Sequence, residues 1–243
     1  MGRHSLGDAA IMIALNNLTT GYAGRPLACP LSGAFEAGSA TAIIGANGCG
    51  KSTLLKTIAG LLPPVSGSVN YAPGVENRLG WLPQQSELDN QFPLTVHDVV
   101  AMGCWPASGM MRGLRSTERI DAALSQVGLS AMAALPLNRL SGGQFQRMLF
   151  ARLLAQDAPV MLMDEPFTGI DSQTCDALLA VIATLHARGK TLLVVLHDME
   201  TVRRHFPYTL WLHREHYHWG NTAEVLAHPA FEPVRASAQE PAV

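Results

Sequence analysis

The sequence predicts a single α/β domain in which a parallel sheet is covered by helices, with N-terminal antiparallel β elements and an inserted helical subdomain. Short apolar runs of strand length alternate with stretches whose apolar residues recur at helical spacing, a pattern typical of parallel sheets. A mostly helical insert at about 83–157 interrupts this alternation. We therefore expect one domain over 1–243, with its core at about 11–82 and 158–228 and a flexible tail at 229–243.

The first part of the chain is predicted to form short strands. Ile11 to Leu18 is the first strand, a turn carrying Tyr22 follows, and Leu31 to Phe35 is the second strand. Ala40 to Ile44 is apolar throughout, which indicates a buried strand. A helical pattern of leucine and isoleucine begins at Leu54, so a loop must join this strand to a helix.

That loop is rich in glycine. It consists of Gly45, Ala46, Asn47, Gly48, Cys49, Gly50, Lys51, Ser52 and Thr53. The glycines allow successive N–H groups to point at one anion, and the helix start adds its positive dipole end. Lys51 is placed to reach the β- and γ-phosphates of a nucleotide, and Ser52 to bind Mg²⁺. The stretch therefore predicts the phosphate loop of a P-loop NTPase core.

The cysteines are scattered and show neither a disulfide framework nor a zinc-binding pattern. They are Cys29, Cys49, Cys104 and Cys175. Cys49 lies beside Lys51 and a helix start, and both neighbours lower the pKa of a thiol. Modification of a Cys49 thiol with a lowered pKa is one interpretation, and tolerance of a small residue in the loop is the other.

The remaining elements follow in chain order. Before the insert we expect strands over Ser66 to Tyr71 and Arg78 to Leu82. Within the insert we expect a helix ending at Met102 and an irregular stretch over Pro106 to Arg115. Further helices are expected over Thr117 to Val127, over Ala131 to Leu135 and from Ser141 onward. The core then resumes with a strand over Val160 to Met163, a helix over about Ser172 to Arg188, a strand over Leu192 to Leu196, a hairpin of Tyr208 to His213 and Tyr217 to Trp219, and a short helix near Glu224.

Polar side chains follow three of the predicted strands. Asp164 and Glu165 form an acidic pair after one strand, and His197 and Gln84 each follow another. Phosphoryl transfer needs charge neutralisation and positioning more than covalent catalysis. We expect Asp164 and Gln84 to share the Mg²⁺ shell with Ser52. We expect Glu165 to polarise the attacking water, with His197 on the γ-phosphate or on that water.

A second glycine-containing helix start lies between the phosphate loop and the acidic pair. Its residues are Leu140, Ser141, Gly142, Gly143 and Gln144. One nucleotide does not need two anion-binding helix starts from the same chain. The Leu-Ser-Gly-Gly-Gln motif in this position resembles the ATP-hydrolysing subunit of ABC transporters, and the resemblance extends from about Leu15 to His228.

The resemblance implies an ABC-type fold that binds ATP with Mg²⁺ and works as a homodimer. In that family the Ser141 to Gln144 segment closes on the ATP held by a second copy of the chain, so hydrolysis requires a head-to-tail dimer. Asp171 corresponds to the loop that crosses the dimer interface beside Glu165. Tyr22 corresponds to the aromatic residue that stacks on adenine.

The cargo is indicated by three segments. Leu82 to Gly103, Gly142 to Arg147 and Glu165 to Asp171 resemble the zinc, manganese and iron importers of bacteria. This resemblance implies import of a metal ion, with zinc favoured and manganese next, through integral membrane permease subunits. A periplasmic or extracellular solute-binding protein is an indirect partner. Iron-chelate, haem and cobalamin importers share much of the pattern and stay open as alternatives.

Composition argues against other classes of partner and location. The net charge is −2 and no cluster of Lys and Arg is present, which argues against nucleic acid. No apolar run approaches the roughly 20 residues of a membrane span, and the N-terminal stretch does not fit a signal peptide. We expect a cytoplasmic protein bound peripherally to the inner face of the bacterial membrane.

Two rival classes within the wider superfamily fit less well. Chromosome-maintenance and DNA-repair ATPases carry long coiled coils, whereas Gln84 to Leu140 leaves room only for a small insert. A tandem or translation-associated ABC factor needs a second phosphate loop, which the sequence does not contain. A non-transport ABC ATPase is therefore only a remote alternative.

Three histidines near the C-terminal end are open to two interpretations. His216 and His218 share a face of the predicted hairpin, and His213 precedes them, so a surface zinc site is one reading. The other reading is a set of exposed polar residues, because no carboxylate or thiol completes a zinc ligand set.

Overall fold

The computed structural model describes residues 10–84, 93–104 and 113–229, with residues 113–116 described by their backbone alone. Within these residues the strands are β1 (Ile11–Thr19), β2 (Gly21–Tyr22), β3 (Arg25–Pro26), β4 (Leu31–Glu36), β5 (Ala40–Ile44), β6 (Ser66–Tyr71), β7 (Leu79–Leu82), β8 (Val160–Met163), β9 (Thr191–Val195), β10 (Tyr208–Leu212) and β11 (Tyr217–Asn221). The helices are α1 (Lys51–Ile58), α2 (Val96–Met102), α3 (Gly113–Gln126), α4 (Gly142–Gln156), α5 (Ser172–Ala187), α6 (Met199–His205) and α7 (Thr222–Leu226).

The strands form a large parallel sheet beside a small antiparallel one. The large sheet has the order β11-β10-β5-β9-β8-β7, in which β11 pairs antiparallel with β10 and the other pairs are parallel. The antiparallel sheet has three strands in the order β4-β1-β6, and β2 pairs with β3 in a small hairpin. The predicted α/β fold with antiparallel β elements near the N-terminal end is confirmed.

The large sheet is buried on both faces because its strands alternate between two cores. One core contains Ile43 of β5 and packs on α1 and the antiparallel sheet. The other contains Ile44 of β5 and packs on α2, α4 and α5. This two-sided burial explains why β5, β8 and β9 consist of uninterrupted apolar or threonine residues.

Parallel pairing brings the ends of four strands to one edge of the sheet. Ile43 of β5 pairs with Val195 of β9, and Met163 of β8 pairs with Val194. Leu82 of β7 pairs with Met163. The glycine loop, the acidic pair, His197 and Gln84 all follow these ends directly, so the topology places them at a common edge.

Two predicted elements of the insert differ from the structure. Helix α3 begins at Gly113, so the last residues of the predicted irregular stretch are helical; residues 105–112 lie outside the described residues. The helix predicted over Ala131 to Leu135 is wrong, because only Ser130–Met132 forms a short 3₁₀ turn. The carbonyls of Ala133 and Leu135 instead accept hydrogen bonds from the first N–H groups of α2.

Helix α6 was missed by the sequence analysis. Asp198 is its N-cap, and its carboxylate accepts hydrogen bonds from the N–H groups of Glu200 and Thr201. The helix has only seven residues and one buried side chain, Val202, so its apolar periodicity is too weak to recognise. Among the described residues, no helix is both long and apolar enough to cross a membrane.

Candidate active site

The glycine loop between β5 and α1 adopts a conformation that its glycines permit. Gly45 has φ 149°, and a Cβ there would lie 2.3 Å from the carbonyl oxygen of Leu212. Gly50 is the N-cap of α1 with φ 99°, in the left-handed region. Any other residue would therefore clash at the first position and be strained at the second. Phosphate binding by this loop and by the first N–H groups of α1 stays a prediction.

The ammonium group of Lys51 lies against the backbone of the glycine loop. The side chain is buried, and Nζ donates to the carbonyl oxygens of Gly45 at 2.9 Å and Ala46 at 3.0 Å. These neutral acceptors hold the ammonium group in place without neutralising its charge. A phosphate bound in the loop would therefore meet a fixed cation with little reorganisation.

Ser52 and Asp164 bring the first turn of α1 to the end of β8. Ser52 Oγ donates to Asp164 Oδ1 at 3.0 Å, and Asp164 is fully buried. Hydroxyl and carboxylate oxygens are hard donors, and Mg²⁺ usually takes one or two carboxylates together with phosphates and waters. The pair therefore fits Mg²⁺ carried by a nucleotide. In the part of the chain that the structure describes, no group of three or more His, Cys, Asp and Glu side chains could hold a metal by itself.

Glu165 is the centre of a hydrogen-bonded group at the same edge. Its Oε1 lies 2.7 Å from Nε2 of His197, and its Oε2 accepts from Nε2 of Gln84 at 3.0 Å and from Oγ1 of Thr168 at 3.3 Å. The hydrogen bond with His197 lowers the pKa of the Glu165 carboxyl, although partial burial opposes this shift. The carboxylate is therefore held in its charged form, as a group that polarises water must be.

The backbone at Glu165 is unusual, and one of its partners was not predicted. Glu165 has φ 48°, a left-handed conformation that few residues other than glycine adopt. This conformation starts the turn that brings Thr168 back to the carboxylate. Thr168 was missed because its hydrogen bond depends on this turn, which the sequence pattern does not reveal. Gln84 contacts Glu165 in this arrangement, and its role as a Mg²⁺ ligand stays a prediction.

The predicted second anion site is the first turn of α4. Ser141 and Gln144 form a capping box, in which Ser141 N–H donates to Gln144 Oε1 at 2.9 Å and Gln144 N–H donates to Ser141 Oγ at 3.3 Å. Ser141 and Gly142 are exposed. The helix start is therefore capped by its own side chains, and its first residues are open to solvent.

Asp171 lies beside this helix start in the same chain. It is the N-cap of α5 and accepts from Thr174 N–H at 2.9 Å and from Thr174 Oγ1 at 2.8 Å. The backbone hydrogen bond from Thr174 lowers the pKa of the Asp171 carboxyl. A Cβ at Gly143 would lie 3.6 Å from Asp171 Oδ2, so the predicted interface loop and the second anion site are adjacent.

Two further predictions concern the loop's surroundings. Tyr22 lies in the β2–β3 hairpin with 48% of its surface exposed, so its ring is accessible to a ligand. The expectation that Cys49 has a thiol with a lowered pKa is wrong. Cys49 is buried, and this burial raises the pKa of its thiol despite the opposing effect of Lys51.

The histidines near the C-terminal end pack around Trp211. The His213 and His216 rings are stacked with centroids 4.4 Å apart, and the His218 ring stacks on Trp211 at 5.1 Å. His228 joins them with its ring centroid 3.9 Å from that of His218. Burial lowers the pKa of the His218 imidazole, with smaller contributions from His228 and His216. These contacts favour the interpretation that the histidine rings pack against Trp211 and one another. Among the described residues, the histidines do not form a group that could bind zinc.

Comparison with known proteins identifies the family. A family model described as "ABC transporter" matches residues 29–168. The zinc transport system ATP-binding protein TroB of Treponema pallidum is 42% identical, covering 85% of this chain and 80% of that protein. The manganese transport system ATP-binding protein MntB of Bacillus subtilis is 39% identical, covering 88% of each.

Solved structures agree with this result. A dimeric bacterial ABC transporter cassette has a TM-score of 0.76 and 28% identity, covering 87% of this chain and 99% of that one. An inward-facing ABC transporter, described as of metal-chelate type, has a TM-score of 0.79 and 26% identity, covering 89% of this chain and 86% of that one.

Proposed function

Because this chain belongs to the ABC transporter family and is an ATPase, we propose that it works as a head-to-tail dimer that powers import of a metal ion through separate membrane permease subunits. The metal that we favour is zinc, with manganese next. The similarity to the zinc protein of T. pallidum and the manganese protein of B. subtilis supports this choice. Import of an iron chelate, haem or cobalamin is the alternative, supported by the similarity to the metal-chelate type transporter.

The observation that carries the proposal is the group of hydrogen bonds around Glu165. Its carboxylate is held by His197, Gln84 and Thr168 at the edge where Ser52 meets Asp164. This arrangement holds a charged carboxylate beside the place that the glycine loop offers to the terminal phosphate. The geometry suits activation of a water molecule for in-line attack on that phosphate.

Each residue at this edge has a distinct part in hydrolysis. Lys51 directs its ammonium group at the β- and γ-phosphates, and Glu165 orients the attacking water and accepts its proton. His197 holds the Glu165 carboxylate and is placed to reach the γ-phosphate. Mg²⁺, when bound with ATP, would be held by Ser52 and Asp164 with Gln84 nearby, and it neutralises phosphate charge.

The dimer explains why the chain has two anion-binding helix starts. The exposed first turn of α4, from Ser141 to Gln144, serves the ATP held by the second copy. Asp171 caps α5 next to that turn and lies at the interface. Tyr22 stacks on the adenine of the chain's own ATP. The similarity to a dimeric ABC cassette supports this arrangement.

The remaining partners follow from the transport role. The chain is placed at the cytoplasmic face of the bacterial membrane, where it binds the integral permease subunits. A periplasmic or extracellular solute-binding protein delivers the metal, and no nucleic acid takes part. The net charge of −2 is consistent with that exclusion.

A deletion strain tests the proposed cargo. We expect its growth to fail under zinc depletion and to be restored by the wild-type gene but not by the Glu165→Gln variant. A defect confined to manganese or iron depletion would contradict the choice of zinc. Normal growth under all three depletions, together with undiminished uptake of each metal, would contradict metal import altogether.

A further inference from the structure

Helix α4 contacts the Glu165 turn at two points on one side. Gln146 Nε2 donates to the carbonyl oxygen of Pro166 at 2.8 Å. The ring of Phe150 stacks on that of Phe167, with centroids 6.5 Å apart and an angle of 17° between the planes. Gln146 and Phe150 are one helical turn apart, so they lie on the same face of α4. Together they hold the two residues that directly follow Glu165.

The Gln146 side chain is buried, and burying its amide group lowers the stability of the folded protein. The side chain is 1% exposed, and its Oε1 has no hydrogen-bond partner within the described part of the chain. A buried polar atom without a partner destabilises the fold, whereas leucine or methionine would fill similar space without that cost. An amide at this position is therefore better explained by what its N–H group does than by packing.

The Glu165 turn is a segment that needs such support. Glu165 has φ 48°, and Gly169 at the other end of the turn has φ 76°. Inside the turn, the N–H of Thr168 donates to the carbonyl oxygen of Glu165 at 3.3 Å, a long hydrogen bond. A left-handed residue persists only where its surroundings fix it, and the described contacts from Gln146 and Phe150 provide that constraint.

We infer that Gln146 is a positioning residue for Glu165, which links the first turn of α4 to the general base of the same chain through the carbonyl group of Pro166. This inference rests on the proposed function. In the head-to-tail dimer, α4 of one chain meets the partner's ATP, while Glu165 of that chain acts on its own ATP. Gln146 therefore connects two different nucleotide sites, and contact at one of them helps to align the base at the other.

The two possible roles of Gln146 differ in which ATP site of the dimer loses activity when this side chain is removed. If Gln146 positions Glu165, its loss impairs the site that uses the Glu165 of the same chain. If Gln146 only shapes the start of α4, its loss impairs the other site, where that helix meets the partner's ATP. These two outcomes can be separated by mixing active and inactive chains.

The experiment uses a small amount of an active reporter chain in a large excess of the Glu165→Gln chain. Nearly every reporter then pairs with an inactive partner, so the measured ATPase rate comes from the reporter's own site. In one mixture Gln146→Leu is placed in the reporter. In the other it is placed in the excess chain, which supplies only the α4 start to the working site.

We expect Gln146→Leu in the reporter to lower kcat by about tenfold or more, with little change in KM for ATP, because a small misplacement of a catalytic group is costly. In the excess chain the same change should leave kcat within about twofold of the unmodified mixture. An equal loss from both placements, or no loss from the reporter, would overturn the inference. Gln146→Met repeats the test should the leucine variant fail to fold.

Two controls separate this inference from the proposed function. Met148→Leu changes another buried side chain of α4, and we expect it to leave both mixtures unchanged. Ser141→Arg in the excess chain should abolish the reporter's activity, because it blocks the α4 start. If Ser141→Arg has no effect there, the head-to-tail dimer itself is contradicted, whatever the result for Gln146.

Discussion

His197 Nε2 lies 2.7 Å from Glu165 Oε1, although the two residues are separated by 32 positions and lie at the ends of neighbouring strands. The contact exists because β8 and β9 run parallel and end at the same edge of the sheet. It holds the carboxylate in its charged form and leaves it beside the glycine loop.

Replacing the general base should separate binding from turnover. We expect Glu165→Gln to bind ATP normally but to lower kcat by about a hundredfold or more, because an amide cannot accept a proton from water. ATP held without hydrolysis should keep the dimer closed, so gel filtration with ATP should show a dimer. Hydrolysis by this variant at the wild-type rate would contradict the assignment of the base.

Removing the loop lysine should act on binding. Lys51 is buried with its Nζ on the carbonyl groups of Gly45 and Ala46. We expect Lys51→Ala to weaken ATP binding by about a hundredfold or more, because a buried charge that meets a phosphate contributes strongly. Titration with a fluorescent ATP analogue measures this, and unchanged affinity would show that the ammonium group does not reach the phosphates.

The Thr168 hydroxyl should contribute to turnover through Glu165. We expect Thr168→Val to lower kcat by about threefold, because the hydrogen bond from Thr168 to Glu165 is long at 3.3 Å and contributes on the order of 0.5–1 kcal/mol. Thr168→Ser keeps the hydroxyl and should restore most of the rate. Steady-state ATPase assays compare the two, and equal rates for valine and serine would rule out the hydrogen bond as the cause.

Asp171 is the N-cap of α5, and the stability that its carboxylate adds to the protein should depend on pH. The hydrogen bond from Thr174 N–H lowers the native pKa of this carboxyl below its unfolded value of about 3.9. Its stabilisation is therefore complete above that value and is lost as pH falls through the lower native pKa. We expect Asp171→Ala to lower Tm at neutral pH by roughly a few degrees and to have less effect in acid.

Asp171→Asn is the matched control for this position. Asparagine caps helices about as well as aspartate, so Tm at neutral pH should be nearly unchanged. Loss of ATPase activity in this variant, with its stability intact, would support the proposed role of the carboxylate at the dimer interface. A drop in Tm as large as that of Asp171→Ala would contradict the cap as the main source of stability.

The sequence allowed the buried strands to be predicted well. The bounds of β5 and β8 agree with prediction because strands buried on both faces are continuous apolar runs with sharp ends. The polar residues that follow those strands were also identified, since parallel topology alone brings them together. Helix α6 was missed because its start depends on the cap at Asp198 and its seven residues bury little.

The supporting contacts of the site could not be predicted from the sequence. The Thr168 and Gln146 contacts are made at the turn that starts at Glu165, and no pattern of residue types specifies the left-handed backbone of that residue. The thiol of Cys49 was misjudged for a related reason. Its charged neighbours are visible in the sequence, but the burial that raises its pKa depends on the packing around the glycine loop.

The central claim is that each ATP site is built from two chains, and mixing two inactive variants tests it most directly. Ser141→Arg keeps the glycine loop and Glu165 but loses the α4 start, whereas Glu165→Gln keeps the α4 start and loses the base. We expect neither variant alone to hydrolyse ATP, and the mixture to regain activity, because a mixed dimer contains one complete site. A mixture that stays inactive, or a Ser141→Arg chain that is active alone, would contradict the head-to-tail dimer.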